Sequence, residues 1–361
     1  MTYQLNNKVR DLLPYEPIAG NFRIRLDANE SFFTVPEQLL KEMQAAANLV
    51  DFRRYPDPLA ENCIMAFANY FGLSAAQVTA GNGSDELISV IMGGFFQRGD
   101  RVLVVDPDFS MYKFYLHVSE LEAVTYAKDS AYRIDVDGLV AKASETKCRG
   151  MIFSNPCNPT SQGISRQEII QILQELPNTL IIIDEAYMDF WDQSVLDLVN
   201  DFDNLLVLRT CSKAFGIAAL RLGFAVANAK LTKALRSLKS PYNVNSLTQA
   251  YGSVLLNHPQ CLKQALLSVL SSRDALYQDL DALQKSTAGK NLGLLPLLVS
   301  HTNFILAKFA DNNEVYQRLK QEGILVRCFP DFLRITTGSV LENQTLIDAL
   351  IKNGEVSNEK R

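Results

Sequence analysis

Lys213 lies in Thr210-Cys211-Ser212-Lys213-Ala214-Phe215-Gly216, with Arg221 eight residues on and Asp184 upstream at the end of an apolar run. A lysine that must form an imine needs its ammonium desolvated or crowded by other cations, and the imine is useful only beside an electron sink. A protonated ring nitrogen makes such a sink, and a fixed carboxylate keeps it protonated. Asp184, closing the strand-like run Leu180-Ile181-Ile182-Ile183, is the candidate. Thr210, Ser212 and Arg221 offer hydroxyls and a guanidinium suited to a phosphate dianion. Tyr187 and Asn158 are candidate partners for a phenolate oxygen beside the imine.

Ring nitrogen, phosphate and phenolate together describe pyridoxal 5'-phosphate. The motifs run along nearly the whole chain: Leu26-Asp27-Ala28-Asn29-Glu30, Tyr55-Pro56-Asp57, Gly83-Ser84-Asp85-Glu86, Asn155-Pro156-Cys157-Asn158-Pro159-Thr160, Asp184-Glu185-Ala186-Tyr187, Ser212-Lys213 with Arg221, and Leu333-Arg334-Ile335-Thr336. In this order and spacing the chain resembles the fold-type I pyridoxal-phosphate aminotransferases, and most of all the histidinol-phosphate aminotransferases. The resemblance implies transfer of the amino group of histidinol phosphate to 2-oxoglutarate, giving imidazole acetol phosphate and glutamate, a step of histidine biosynthesis. It implies that Lys213 carries the cofactor and shuttles the proton between the α-carbon and the cofactor's carbonyl carbon. Asp184 would face the ring nitrogen, and Tyr187 and Asn158 the imine-side oxygen. Ser84, Asp85 through its backbone amide, Thr210, Ser212, Arg221 and Tyr55 of a neighbouring subunit would frame the phosphate, so the active site would be shared across a homodimer. Arg334 would fork onto a substrate carboxylate and Arg327 meet the substrate phosphate; Tyr15, in the N-terminal arm, would close over the substrate, and Asn29 is grouped with these substrate residues.

Two positions depart from the family pattern. Phe109 stands where relatives carry a tyrosine that stacks on the pyridine ring, which keeps the flat apolar face and loses the hydroxyl. Ser161-Gln162-Gly163 follows Thr160, where relatives usually have glycine at once. Other readings stay open: an aromatic or broad-specificity aminotransferase, threonine-phosphate decarboxylase, and a ligand-sensing aminotransferase-like domain without turnover. Histidinol phosphate has no α-carboxylate whereas glutamate does, so one pocket must take a phosphate in one half-reaction and carboxylates in the other.

The bland readings are simpler. Ala80-Gly81-Asn82-Gly83-Ser84-Asp85-Glu86 before an apolar helix is an anion-binding turn or a plain capped one; as a dinucleotide fingerprint it fails, with Glu86 where the third glycine belongs. The two Asn-Pro steps read as rigid turns, and Tyr55 as a tyrosine in an X-Pro turn. Six cysteines without Cys-x-x-Cys read as reduced thiols, with Cys157 and Cys211 as small loop residues and not as nucleophiles. Three scattered histidines give no metal site. The other lysines of the segment, Lys230, Lys233 and Lys239, read as solvated helix residues.

A chain of 361 residues, 47% apolar and 21% charged, has ample material for a core and exceeds the usual single-core size. A net charge of −5 gives no footprint for nucleic acid or an anionic membrane. No basic stretch precedes an apolar one near Met1, so the protein is expected in the cytoplasm.

Between Leu59 and Ala227 continuous apolar runs alternate with amphipathic stretches. Strands are expected at 78–80, 101–105, 121–127, 150–154, 179–183, 205–208 and 223–226, in a mainly parallel sheet covered by helices on both faces. Helices are expected at 84–96 and 165–176, the second with Ser165 and Glu168 in capping-box spacing. Beyond Asn243 a long helical stretch breaks at His258-Pro259, a polar loop spans 286–291, and a second α/β segment follows. The expected division is an N-terminal arm at 1–33, a large cofactor-binding domain at 34–245 and a small domain at 246–361.

Overall fold

The computed structural model describes residues 2–10, 12–14, 16 and 18–356. Seven strands, β2 (Val78–Asn82), β3 (Arg101–Asp106), β4 (Glu122–Ala127), β5 (Gly150–Ser154), β6 (Leu180–Asp184), β7 (Leu205–Thr210) and β8 (Leu222–Ala227), form one sheet in the order β2-β8-β7-β6-β5-β3-β4. Only β8 runs against its neighbours. Strands β5, β6 and β7 are almost wholly buried because helices pack on both faces, which is why their sequences do not alternate. One face, carrying Phe153 and Phe224, packs on Phe67 and Ile169, and the other meets Leu87, Ile91, Tyr112 and Leu116. All seven expected strands form, with ends shifted by a residue or two.

The second sheet has four strands in the order β1-β10-β11-β9, built from β1 (Ile24–Leu26), β9 (Phe304–Ala307), β10 (Ile324–Cys328) and β11 (Leu333–Thr336). Strand β1 pairs in parallel with β10, so the early chain is stitched to the late chain. Helix Pro259–Lys285 spans both bodies: Leu262 and Val269 join the core of the large sheet, Leu276, Leu280 and Leu283 that of the small one. The expected loop at 286–291 is instead a helix, Thr287–Leu292, because Ser286 caps it by accepting from the Gly289 amide. Gly289 is required there, since a Cβ would stand 2.0 Å from the Leu283 carbonyl oxygen.

Candidate active site

Asn155, Asp184 and Thr210 sit at the carboxyl ends of the adjacent strands β5, β6 and β7, the edge where ligands of such sheets collect. Asp184 is buried. Its Oδ2 accepts from the Tyr112 hydroxyl at 2.8 Å and its Oδ1 from the Ala186 amide at 3.0 Å. Burial pushes the carboxyl up to about 6, against the Tyr112 and Ala186 hydrogen bonds that lower it, with Asp108 and Asp85 adding repulsion. A buried carboxylate held in place yet short of a cation is suited to receive a cationic ring nitrogen.

That shift has a measurable consequence. Because the folded value lies above the ordinary 3.8, the ionised form is disfavoured in the fold, and the cost grows as pH rises from about 4 to about 6. In protein stripped of small-molecule ligands, the stability of Asp184→Asn relative to wild type should therefore rise between pH 4 and pH 7, by on the order of 2–3 kcal/mol. Urea unfolding midpoints of both proteins across this range check it. A difference independent of pH would mean that Asp184 titrates normally.

Lys213 follows β7 on a turn fixed by its neighbours: Cys211, Ala214 and Phe215 are buried, and Gly216 turns the chain at φ 69. The lysine itself stays partly accessible. Its Nζ donates to the Ala28 carbonyl at 3.2 Å and lies 5.7 Å from the centre of the Tyr187 ring. The Tyr187 hydroxyl accepts from Asn29 Nδ2 at 2.8 Å. Asn29 is 1% exposed, and its Oδ1 accepts from Thr336 on β11. Asn303 Nδ2 donates to the Asn29 carbonyl, so the late sheet reaches the tyrosine beside Lys213 through one buried asparagine.

The anion cradle lies where β2 enters helix Ser84–Gly94. Gly83, at φ 82, brings the Arg221 guanidinium so close that a Cβ would meet its Nη2 at 2.8 Å. Gly223 of β8 packs against the same turn, where a Cβ would fall 2.2 Å from the Ser84 amide nitrogen. Backbone amides of a helix start beside a guanidinium suit an anion such as phosphate. The Asp85 carboxylate turns to Tyr115, accepting at 2.9 Å, which leaves its amide free to serve an anion. Ser212 and Thr210 are tied to each other, Thr210 Oγ1 donating to Ser212 Oγ at 3.0 Å.

Arg334 on β11 donates through Nη1 to Asn158 Oδ1 and through Nη2 to the Asp27 carbonyl, over the rings of Phe304 and Phe329. An arginine only donates, so Asn158 presents its oxygen to Arg334 and keeps its amide hydrogens for another acceptor. Arg327 on β10 pairs in register with Arg334, which puts both side chains on one face. Asn155, by contrast, spends both ends of its amide on Ile164 and holds the loop together. Phe109 meets Tyr112 edge to face at 5.5 Å. Tyr55 is 81% exposed and stacks on Tyr242 at 4.7 Å, its ring partner among the described residues. Tyr15 lies outside the described residues.

Sequence reading missed several groups. Tyr112 and Asp108 are generic in type, and only the fold brings them to Asp184 and Ser154. Arg209, buried on β7, pairs with Glu185 at 3.2 Å and Asp189 at 2.7 Å and fixes the segment after Asp184. Lys239 is buried and not solvated: its Nζ donates to the Pro58 carbonyl at 2.8 Å and Asn243 Oδ1 at 2.9 Å, and burial lowers its proton affinity. Ser161 occupies the left-handed region at φ 64, and its hydroxyl bridges to Ser300, His301 and Thr302. No cluster of potential metal ligands occurs among the described residues.

The sequence profile of the family described as aminotransferase class I and II matches residues 23–350. The chain belongs to that family. The aminotransferase is 36% identical over 349 residues to the histidinol-phosphate aminotransferase of Clostridium kluyveri, covering 95% of this chain and 97% of that one. It superposes on the histidinol-phosphate aminotransferase of Sinorhizobium meliloti, solved in complex with pyridoxal-5'-phosphate, with a TM-score of 0.85 at 23% identity and 99% coverage of both chains. The L-threonine-O-3-phosphate decarboxylase of Porphyromonas gingivalis gives a TM-score of 0.78, also at 23% identity, covering 92% of this chain and 99% of that one. The fold is thus shared by an aminotransferase and a decarboxylase, and the aminotransferase's own side chains must separate the two reactions.

Proposed function

We propose that the chain is a pyridoxal 5'-phosphate enzyme that transfers the amino group of histidinol phosphate to 2-oxoglutarate, in histidine biosynthesis. The carrying observation is the register of Arg327 with Arg334. Two like charges directly opposite on neighbouring strands repel, and an anionic group between them relieves that cost. A phosphate-bearing donor and a dicarboxylic acceptor both supply one, which answers the demand that one pocket take both. The relative from Clostridium kluyveri, named for this activity, supports the same reading.

The residues fit the cofactor. The cradle of Gly83, Ser84, Asp85 and Arg221 suits its phosphate, with Thr210 and Ser212 alongside, and buried Asp184 suits its ring nitrogen. When bound, the cofactor draws electrons from the donor's amine-bearing carbon and makes the proton there acidic. Lys213 Nζ would hold the cofactor covalently and, as a free amine, would carry the proton from that carbon to the cofactor's carbonyl carbon. Asp184 keeps the ring nitrogen protonated from within a site where its own ionisation is costly without a cation. Tyr187 and the amide hydrogens of Asn158 hold the oxygen beside the lysine, and Phe109 gives the ring an apolar face. Asn29 orients the Tyr187 hydroxyl, and Arg334 orients the acceptor's carboxylate.

We further propose a cytoplasmic homodimer. Tyr55, exposed and stacked on Tyr242, is free to reach the phosphate of a second copy, and six free thiols suit a reducing compartment. No helix among the described residues is long and apolar enough to cross a membrane. The division at 1–33, 34–245 and 246–361 stands as part of this proposal, with helix Pro259–Lys285 shared between the two cores.

Arg327→Ala tests the substrate. Removing one charge-assisted partner costs roughly 1.5–3 kcal/mol, which is about ten- to hundredfold in kcat/KM. The loss is expected for histidinol phosphate and much less for an unphosphorylated amine such as phenylalanine. Equal losses for both donors would show that Arg327 does not read the phosphate.

A further inference from the structure

The Asp108 carboxylate lies behind the candidate site and joins three of its parts. Its Oδ1 accepts from the Phe109 amide at 2.7 Å and from the Ser154 hydroxyl, and its Oδ2 accepts from the Ser154 amide at 3.1 Å. Ser154 Oγ in turn accepts from the Asn158 amide at 3.1 Å, and Asn158 Oδ1 accepts from Arg334. A line of hydrogen bonds therefore runs from Asp108 through Ser154 and Asn158 to the substrate arginine. Burial raises the Asp108 carboxyl, and the nearby Lys128 opposes that rise. Lys128 is itself held by the Pro107 carbonyl at 2.9 Å and Cys157 Sγ at 3.0 Å. A charged carboxylate kept in such surroundings is expensive as mere scaffolding, since an apolar or amide side chain would fill the space at lower cost.

We propose that Asp108 is a positioning residue, which acts through the Ser154 hydroxyl to aim the Asn158 side-chain amide at the cofactor oxygen beside Lys213. The hydroxyl is the switch point of the arrangement. A carboxylate only accepts, so Ser154 must donate to Asp108 and offer its lone pairs to the Asn158 backbone. Asn158 is thereby fixed at its backbone by Ser154 and at its side-chain oxygen by Arg334, and its amide hydrogens have one remaining direction. The sequence signal was thin: Asp108 lies one residue before Phe109, and Ser154 one before the first Asn-Pro turn, 46 residues away along the chain.

The proposal rests on the reading of Asn158 given above, and the test separates the two. The readout is the pH midpoint of the cofactor's visible absorbance in the holoenzyme, which rises when a donor to the oxygen beside the lysine is lost. Asn158→Ala should raise it by roughly 0.5–1 pH unit, the size of one hydrogen bond. Asp108→Ala and Ser154→Ala should raise it in the same direction, and each paired with Asn158→Ala should go no further than Asn158→Ala alone. Ser154→Ala keeps the Asp108 charge and its bond to the Ser154 amide, so it serves if Asp108→Ala folds poorly. A midpoint moved by Asn158→Ala but not by Asp108→Ala or Ser154→Ala overturns the positioning role, as do shifts that simply add. A midpoint that Asn158→Ala leaves in place overturns both this inference and the reading beneath it.

Discussion

Lys213→Ala is expected to remove the visible absorbance of the lysine-bound cofactor and all measurable turnover, while leaving a folded protein. The expectation rests on where the side chain lies. Cys211, Ala214 and Phe215 anchor the turn, whereas Lys213 reaches outward to the Ala28 carbonyl beside the Tyr187 ring. Truncation therefore removes an amine and leaves the packing intact. Among its neighbours Lys239 is buried and its Nζ is engaged by the Pro58 carbonyl and Asn243 Oδ1, and Lys230 and Lys233 are exposed, so none is placed to take over its role. On the proposed role, this one change removes both the covalent attachment and the proton carrier and leaves only binding and electrostatic effects. Absorbance after cofactor addition, borohydride reduction and a donor assay check this. A borohydride-reducible adduct in the variant would assign the chemistry to a different lysine.

The second large effect concerns stability. Arg209→Met should destabilise the protein by about 3–5 kcal/mol, because it strands the buried carboxylates of Glu185 and Asp189 without a cation. Both carboxyls are already raised by burial, with Arg209 the main influence holding them down. Without it they bind protons more readily, so the deficit should shrink as pH falls and they become neutral. Urea unfolding at pH 7.5 and pH 5 measures both parts. An unchanged midpoint at pH 7.5 would mean that water reaches the cluster and screens it.

The strands of the large sheet were legible because burial on both faces removes alternation and leaves continuous apolar runs, such as Leu180-Ile181-Ile182-Ile183. Site residues at strand ends were legible for the same reason, since Asn155, Asp184 and Thr210 each close such a run. Groups that act across the fold left no local signal. Tyr112 meets Asp184 over 72 residues, and Asn29 meets Thr336 over 307. The helix at Thr287–Leu292 was read as a loop because small polar residues suit both states, and the cap at Ser286 with the close approach at Gly289 decided it. Lys239 was misread as solvated, because a lysine at a helix end is ordinarily exposed and it takes Pro58, far earlier in the chain, together with Asn243 to close over it. The Ser161 departure acquires a meaning only in three dimensions, where its hydroxyl joins the loop after Asn158 to the approach of β9.

The most direct test of the central claim is kcat/KM for three donors, histidinol phosphate, phenylalanine and threonine phosphate, each with 2-oxoglutarate and saturating pyridoxal 5'-phosphate, followed as glutamate and carbon dioxide formed. Arg327 beside Arg334 predicts that histidinol phosphate is preferred over phenylalanine by about ten- to hundredfold, the worth of one charge-assisted contact, with glutamate formed for each donor consumed. Phenylalanine turned over as well as histidinol phosphate, or threonine phosphate releasing carbon dioxide without glutamate, would contradict it.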